Sequence, residues 1–109
     1  MTSVRDVGSH GYAPFMLKDW VASGRIPGPR VFAAGALITA VGGHGTEGEY
    51  HRTAPGYSDG VVYEASGADG FRNAVRVQFK RGADLIKLGS HFSLEEVTAA
   101  VDEAHALGL

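Results

Sequence analysis

Three times along this 109-residue chain, a short apolar run bounded by turn residues gives way to a stretch whose apolar residues recur at helical spacing. That alternation constrains the fold more than any other feature, because strands separated by helices align in parallel and are joined by right-handed crossovers. The first run covers residues 3–7 and ends at Gly8. A helix follows from near Pro14, a residue suited to a first helical position; Phe15, Met16, Trp20 and Val21 stripe it and Gly24 stops it. Residues 25–29 make a turn held by Pro27 and Pro29, and residues 30–37 are the second strand, centred on Val31, Phe32 and Ala33. A Gly-rich connection then occupies residues 39–67, too long for an ordinary strand-to-helix loop. Asp69 is placed to cap the next helix, which carries Phe71, Val75 and Phe79 on one face and ends at Gly82. The third run is Leu85-Ile86-Lys87-Leu88-Gly89. Ser93 and Glu96 then have capping-box spacing, ahead of a helix striped by Leu94, Val97, Val101 and Ala104 and closed by Gly108. Trp20 and Phe79 read as core residues beneath the helices. The predicted class is α/β with parallel strands, as a small open domain or as three consecutive βα units of a (β/α)8 barrel, which takes ~250 residues when complete.

One domain over residues 1–109 suits this length, and 44% hydrophobic residues are ordinary for a globular protein. A net charge of -2 without basic or acidic blocks excludes nucleic-acid and membrane-surface partners of the electrostatic kind. The absence of cysteine excludes a disulfide framework and a thiolate zinc site. No apolar run approaches membrane-spanning length, and residues 1–6 show no signal-peptide pattern, so the expected location is cytoplasmic.

Lys87 is the residue that asks for an explanation. A parallel strand is covered on both faces, so a lysine within it either extends its stem to put the ammonium in water or has a chemical reason to stay inside. At the C-terminal end of a strand in an α/β protein, that reason is a site. His44 is the second candidate, set among glycines that let backbone approach a ligand; on the pattern alone a plain loop histidine is favoured over a substrate contact. The 42–45 run lacks the spacing of a dinucleotide fingerprint.

Several segments, in order, resemble one family. Thr2-Ser3-Val4-Arg5-Asp6-Val7-Gly8 is similar to the second-strand segment of metal-dependent amidohydrolases, in the branch of imidazolonepropionase-like enzymes and prolidase-like dipeptidases. Gly24-Arg25-Ile26-Pro27-Gly28-Pro29-Arg30 resembles their turn before the third strand, and Gly42-Gly43-His44-Gly45 the loop after it. Gly82-Ala83-Asp84-Leu85-Ile86-Lys87 resembles the fourth strand, and residues 93–109 resemble the helix that follows.

The resemblance implies a (β/α)8 barrel with one or two divalent metals, usually zinc, hydrolysing amides, cyclic amides or dipeptides by attack of a metal-activated hydroxide on the carbonyl. It implies that Lys87 is a metal ligand, carboxylated by CO2 on its amine, that His44 contacts a substrate carboxylate or carbonyl, and that the complete enzyme is a homo-oligomer acting on a small molecule. The family's first-strand His-x-His pair would precede Met1, and its later His and Asp ligands would follow Leu109. The expectation is therefore a fragment covering strands two to four, inactive in isolation and with no catalytic residue of its own. Family members with a lysine ligand often carry a longer Gly-rich loop after it than Gly89-Ser90-His91-Phe92. Two other classes compete: an anion-binding module using the N–H groups of residues 42–45, and a truncated product without a site.

The remaining polar residues read mostly as structural. Asp6 is expected to accept hydrogen bonds at the strand end, beside Arg5. His10 is a rim residue, and His91 is placed for solvent or substrate. His105 suits the C-terminal end of its helix dipole, and His51 reads as exposed. Glu47, Glu49, Tyr50 and Tyr57 belong to the long loop, as solvated residues or as parts of a lid.

Overall fold

A computed structural model of the protein describes residues 2–47 and 61–109. Its elements are β1 (Ser3–Asp6), α1 (Ala13–Ala22), β2 (Arg30–Ala33), β3 (Leu37–Ala40), β4 (Val62–Ala65), α2 (Gly67–Arg81) and α3 (Leu94–Ala106). The fold is mixed α/β with parallel strands. β1 pairs with β2 and β3 pairs with β4, both in parallel. Among the described residues, no helix is long and apolar enough to cross a membrane.

Two departures from the simple alternation have local causes. Residues 30–37 do not form one strand. The chain breaks between β2 and β3 at Gly35, whose φ of +75° suits a residue without a Cβ. Partners outside the strand fix this corner: Ala34 N–H donates to the Asp6 carbonyl at 2.9 Å, and Ala36 N–H to Gln78 Oε1 at 3.1 Å. A Cβ at position 35 would lie 2.5 Å from Gln78 Oε1, so the side chain of α2 can reach the corner only because glycine is there. Secondly, the long connection contains β4, which adds to β3. The expected third strand is reduced to a single parallel bridge between Ile38 and Leu88.

The main core lies between β3, β4 and the helices α2 and α3, and holds Ile38, Ala65, Phe71, Val75, Ala100 and Ala104, with Ile86, Leu88 and Phe92 packed against it. Burying side chains such as Phe71, Ile38 and Val75 contributes roughly 1.5–3 kcal/mol each. Phe92 meets Phe71 edge-on, with centroids 6.0 Å apart. A smaller cluster of Phe15, Ala33 and Ala83 anchors α1.

Helix ends follow the sequence closely where the signal is local. α3 starts with a complete capping box of Ser93 and Glu96, and α2 ends on Gly82 in the left-handed conformation. Glu96 does more than cap its own helix, because Oε1 accepts the Gly67 N–H at 2.7 Å and ties the start of α2 to that of α3. α2 begins at Gly67 behind Ser66, so Asp69 is not its cap; it lies in the first turn and pairs with Arg72 at 2.7 Å. Trp20 and Phe79 are 40% and 45% exposed rather than core. In α3 the inward residues are Ala99, Ala100 and Ala104, while Leu94 and Val101 are exposed. Small side chains on that stripe allow α2 and α3 to approach closely, which turns the larger residues outward.

Candidate functional site

Thr39, in β3, organises the candidate site. Its side chain is fully buried, which a hydroxyl tolerates only with partners. Thr39 Oγ1 donates to the Ser90 carbonyl at 3.2 Å and accepts from the Ser90 N–H at 3.3 Å. The Ala40 N–H reaches the same Ser90 carbonyl at 3.3 Å. Two glycines make room for this hydroxyl: a Cβ on Gly43 would lie 2.3 Å from it, and one on Gly89 2.8 Å. The turn after β3 and the turn after the Lys87 segment are thus locked together through one threonine.

Ser90 carries the link outward. Its hydroxyl oxygen accepts the His44 N–H at 2.9 Å and lies 2.7 Å from His91 Nδ1. The His44 ring turns the other way, with Nδ1 at 3.0 Å from Glu47 Oε1. Glu47 is itself pinned by backbone: its own N–H and that of Gly45 hold its carboxyl below the usual carboxylate value, and His44 beside it adds to the effect. The Gly42 N–H donates to Glu64 Oε1 at 3.3 Å.

Those contacts weigh against the anion-binding alternative. The Gly43 N–H is taken by the Ala40 carbonyl at 2.8 Å. All four N–H groups of residues 42–45 therefore already have acceptors within the chain: Glu64, Ala40, Ser90 and Glu47. A nest that cradles an anion needs those donors free.

Lys87 and His44 do come to the same end of the sheet. The Lys87 carbonyl accepts the Ile38 N–H at 2.9 Å, and the Gly89 N–H returns to the Ile38 carbonyl at 2.7 Å. Ile86 and Leu88 pack on the core that α2 and α3 cover. Alternation along extended backbone sends Lys87 to the opposite face, the one on which Gly89 meets Thr39. The expected burial of Lys87 is not found, and its side chain is exposed. The helices cover one face of the sheet only, and Lys87 stands on the other. Among the described residues, no group of three or more His, Asp or Glu is placed to hold a metal ion.

The other polar residues sort themselves by contact. Asp6 is structural, as expected: Oδ1 accepts the Gly8 N–H at 3.0 Å and Oδ2 accepts from the Ser9 hydroxyl. His10 and His105 are exposed. His51, Glu49, Tyr50 and Tyr57 lie outside the described residues. Asp84 was not singled out by sequence, yet it pairs with Lys18 at 2.7 Å and accepts the Ala33 N–H at 3.0 Å, fastening α1 and β2 to the start of the Lys87 segment. Ser90 and Thr39 were also missed, because their roles arise from contacts 46 and 51 residues apart.

No protein-family model matches the chain. Among curated proteins it is similar to ochratoxinase of Aspergillus niger, at 31% identity over 94% of this chain and 26% of the relative. Among solved structures it resembles a Xaa-Pro dipeptidase with methionine bound in its active site (TM-score 0.82, 34% identity, 100% of this chain and 30% of that one). It also resembles an amidohydrolase (TM-score 0.75, 30% identity, 99% of this chain and 31% of that one). The chain thus spans about a quarter of the length of the curated relatives it matches.

Proposed function

Because the chain belongs to the amidohydrolase family, we propose that it supplies one side of the active site of a hydrolase that cleaves a carbon–nitrogen bond in a small amide or dipeptide. In this reading residues 1–109 are one partial-barrel domain, three consecutive βα units corresponding to strands two to four of a (β/α)8 barrel. The chain alone is not expected to turn over substrate, and the complete enzyme is a homo-oligomer.

One observation carries the proposal: the Thr39–Ser90 lock puts the His44 turn over the strand end that bears Lys87. In a barrel the turns that follow parallel strands gather at one rim, which is where chemistry is built. Lys87 would hold the metal, zinc as one or two ions, through a carboxylated amine, with further ligands from elsewhere in the barrel. The metal, when bound, supplies Lewis-acid polarisation of the carbonyl. What this chain's residues do is narrower. His44, when both ring nitrogens carry hydrogen, donates from Nε2 to a substrate oxygen while Nδ1–H donates to Glu47, which fixes the ring. Gly43 and Gly89 keep the turn pressed against Thr39, so the imidazole projects from a rigid base. The name of one relative, a Xaa-Pro dipeptidase, supports a substrate with an amide bond.

The test is a chimera in which this chain replaces the matching 30% of the Xaa-Pro dipeptidase. Hydrolysis of Xaa-Pro dipeptides is expected, and His44→Ala should lower kcat/KM by ~10–100-fold, as loss of one hydrogen bond to a charged group does. A His44→Ala chimera with unchanged kcat/KM would remove His44 from the site.

A further inference from the structure

We infer that His91 is a second substrate-contacting residue, donating a hydrogen bond from Nε2 to a carboxylate oxygen of the molecule bound beside His44. The inference rests on the proposed function above and assigns it one more residue. Its first support is backbone strain. His91 has φ of +63°, and among the described residues it is the one non-glycine residue with positive φ. Such a conformation is unfavourable for a residue with a Cβ and persists when surrounding contacts over-determine it, a pattern concentrated at ligand sites. A glycine at this position would remove the strain.

The second support is the way the ring is held. Ser90 Oγ accepts the His44 N–H at 2.9 Å and stands 2.7 Å from His91 Nδ1. The hydroxyl can give its hydrogen to Nδ1 while it accepts the His44 N–H, and in that arrangement Nδ1 is the acceptor and the ring hydrogen lies on Nε2. One serine therefore couples the backbone of His44 to the ring of His91. His91 is exposed, and no partner competes for its Nε2 among the described residues. The neighbouring carboxylates are already engaged, Glu47 by Gly45 and His44 and Glu64 by the Gly42 N–H. The acceptor that suits an Nε2–H at this rim is the carboxylate oxygen of an amino-acid-like substrate.

Nitrogen-15 spectra of the imidazoles test this on the protein itself at about pH 8, where an ordinary imidazole is neutral. His91 should be the Nε2–H tautomer there, and at about pH 6, where an ordinary imidazole is partly protonated, acetate should shift its resonances saturably together with those of His44. Acetamide, the uncharged counterpart, should do so far less. Ser90→Ala should mix the tautomers and weaken the acetate midpoint by about threefold, the low end of what losing one neutral hydrogen bond does to an equilibrium. Ser90→Thr, which keeps the hydroxyl, should restore both. His91→Asn keeps a residue tolerant of positive φ and removes the ring, so acetate should still shift His44, with a weaker midpoint. An Nδ1–H tautomer at His91, or an acetate shift no larger than those of the exposed His10 and His105, overturns the inference. If His44 responds and His91 does not, the assignment of His91 fails and the proposed function stands. If neither responds, both fail.

Discussion

Replacing Thr39 with valine should loosen the site without unfolding the protein. The change is nearly isosteric but removes the hydroxyl that both donates to and accepts from Ser90. The Ser90 carbonyl keeps a partner, because the Ala40 N–H also reaches it. The Ser90 N–H loses its acceptor. A lost neutral hydrogen bond costs about 0.5–1.5 kcal/mol, and an unsatisfied, part-buried N–H raises the total to ~1–3 kcal/mol. The added methyl meets the close approach of Gly43 and Gly89, which acts in the same direction. Thr39→Ser is the control, since it keeps the hydroxyl and gives up only a methyl, at about 0.5–1.5 kcal/mol. Urea denaturation followed by circular dichroism gives the stabilities, and amide hydrogen exchange at His44 and Ser90 reports the turn. Thr39→Val should speed exchange at both amides, and Thr39→Ser should leave them slow. Equal stability of the two variants, with unchanged exchange at Ser90, would refute the role given to this hydroxyl.

Asp84→Ala should destabilise the protein by ~1–3 kcal/mol, because the Ala33 N–H and Lys18 both lose their acceptor; Lys18→Met should cost less, and denaturant melts of the two variants check the order. Glu47 and Glu96 are both held below the ordinary carboxylate value of 4.5, chiefly by backbone N–H donors. Groups with lowered values in the folded state contribute stability that is present above the ordinary value and lost as pH falls through the lowered one. Stability should therefore decline below about pH 4.5, and Glu96→Gln should flatten that decline in melts recorded across the acid range.

What the sequence revealed depended on how local each cause was. The capping box of Ser93 and Glu96 and the left-handed Gly82 are set by neighbours within one helical turn, and both were legible. β4 was hidden because Val62–Ala65 is four residues long, with an intermediate and an exposed residue at its centre, inside a polar connection. The break at Gly35 depends on Asp6 and Gln78, each brought in from another element. His44 and Lys87 stood out through their surroundings in the sequence, one among glycines and one within an apolar run. The serine and threonine that bring their segments together gave no such signal, since an isolated Thr39 or Ser90 is unremarkable until the fold sets them against each other.

The most direct test of Lys87 as a metal ligand is the metal content of the dipeptidase chimera with and without Lys87→Ala. Elemental analysis after dialysis should find metal retained in the chimera and largely lost in the variant. Short carboxylic acids added with metal should partly restore hydrolysis by standing in for the carboxylated amine. A Lys87→Ala chimera that keeps its full metal content would contradict the account.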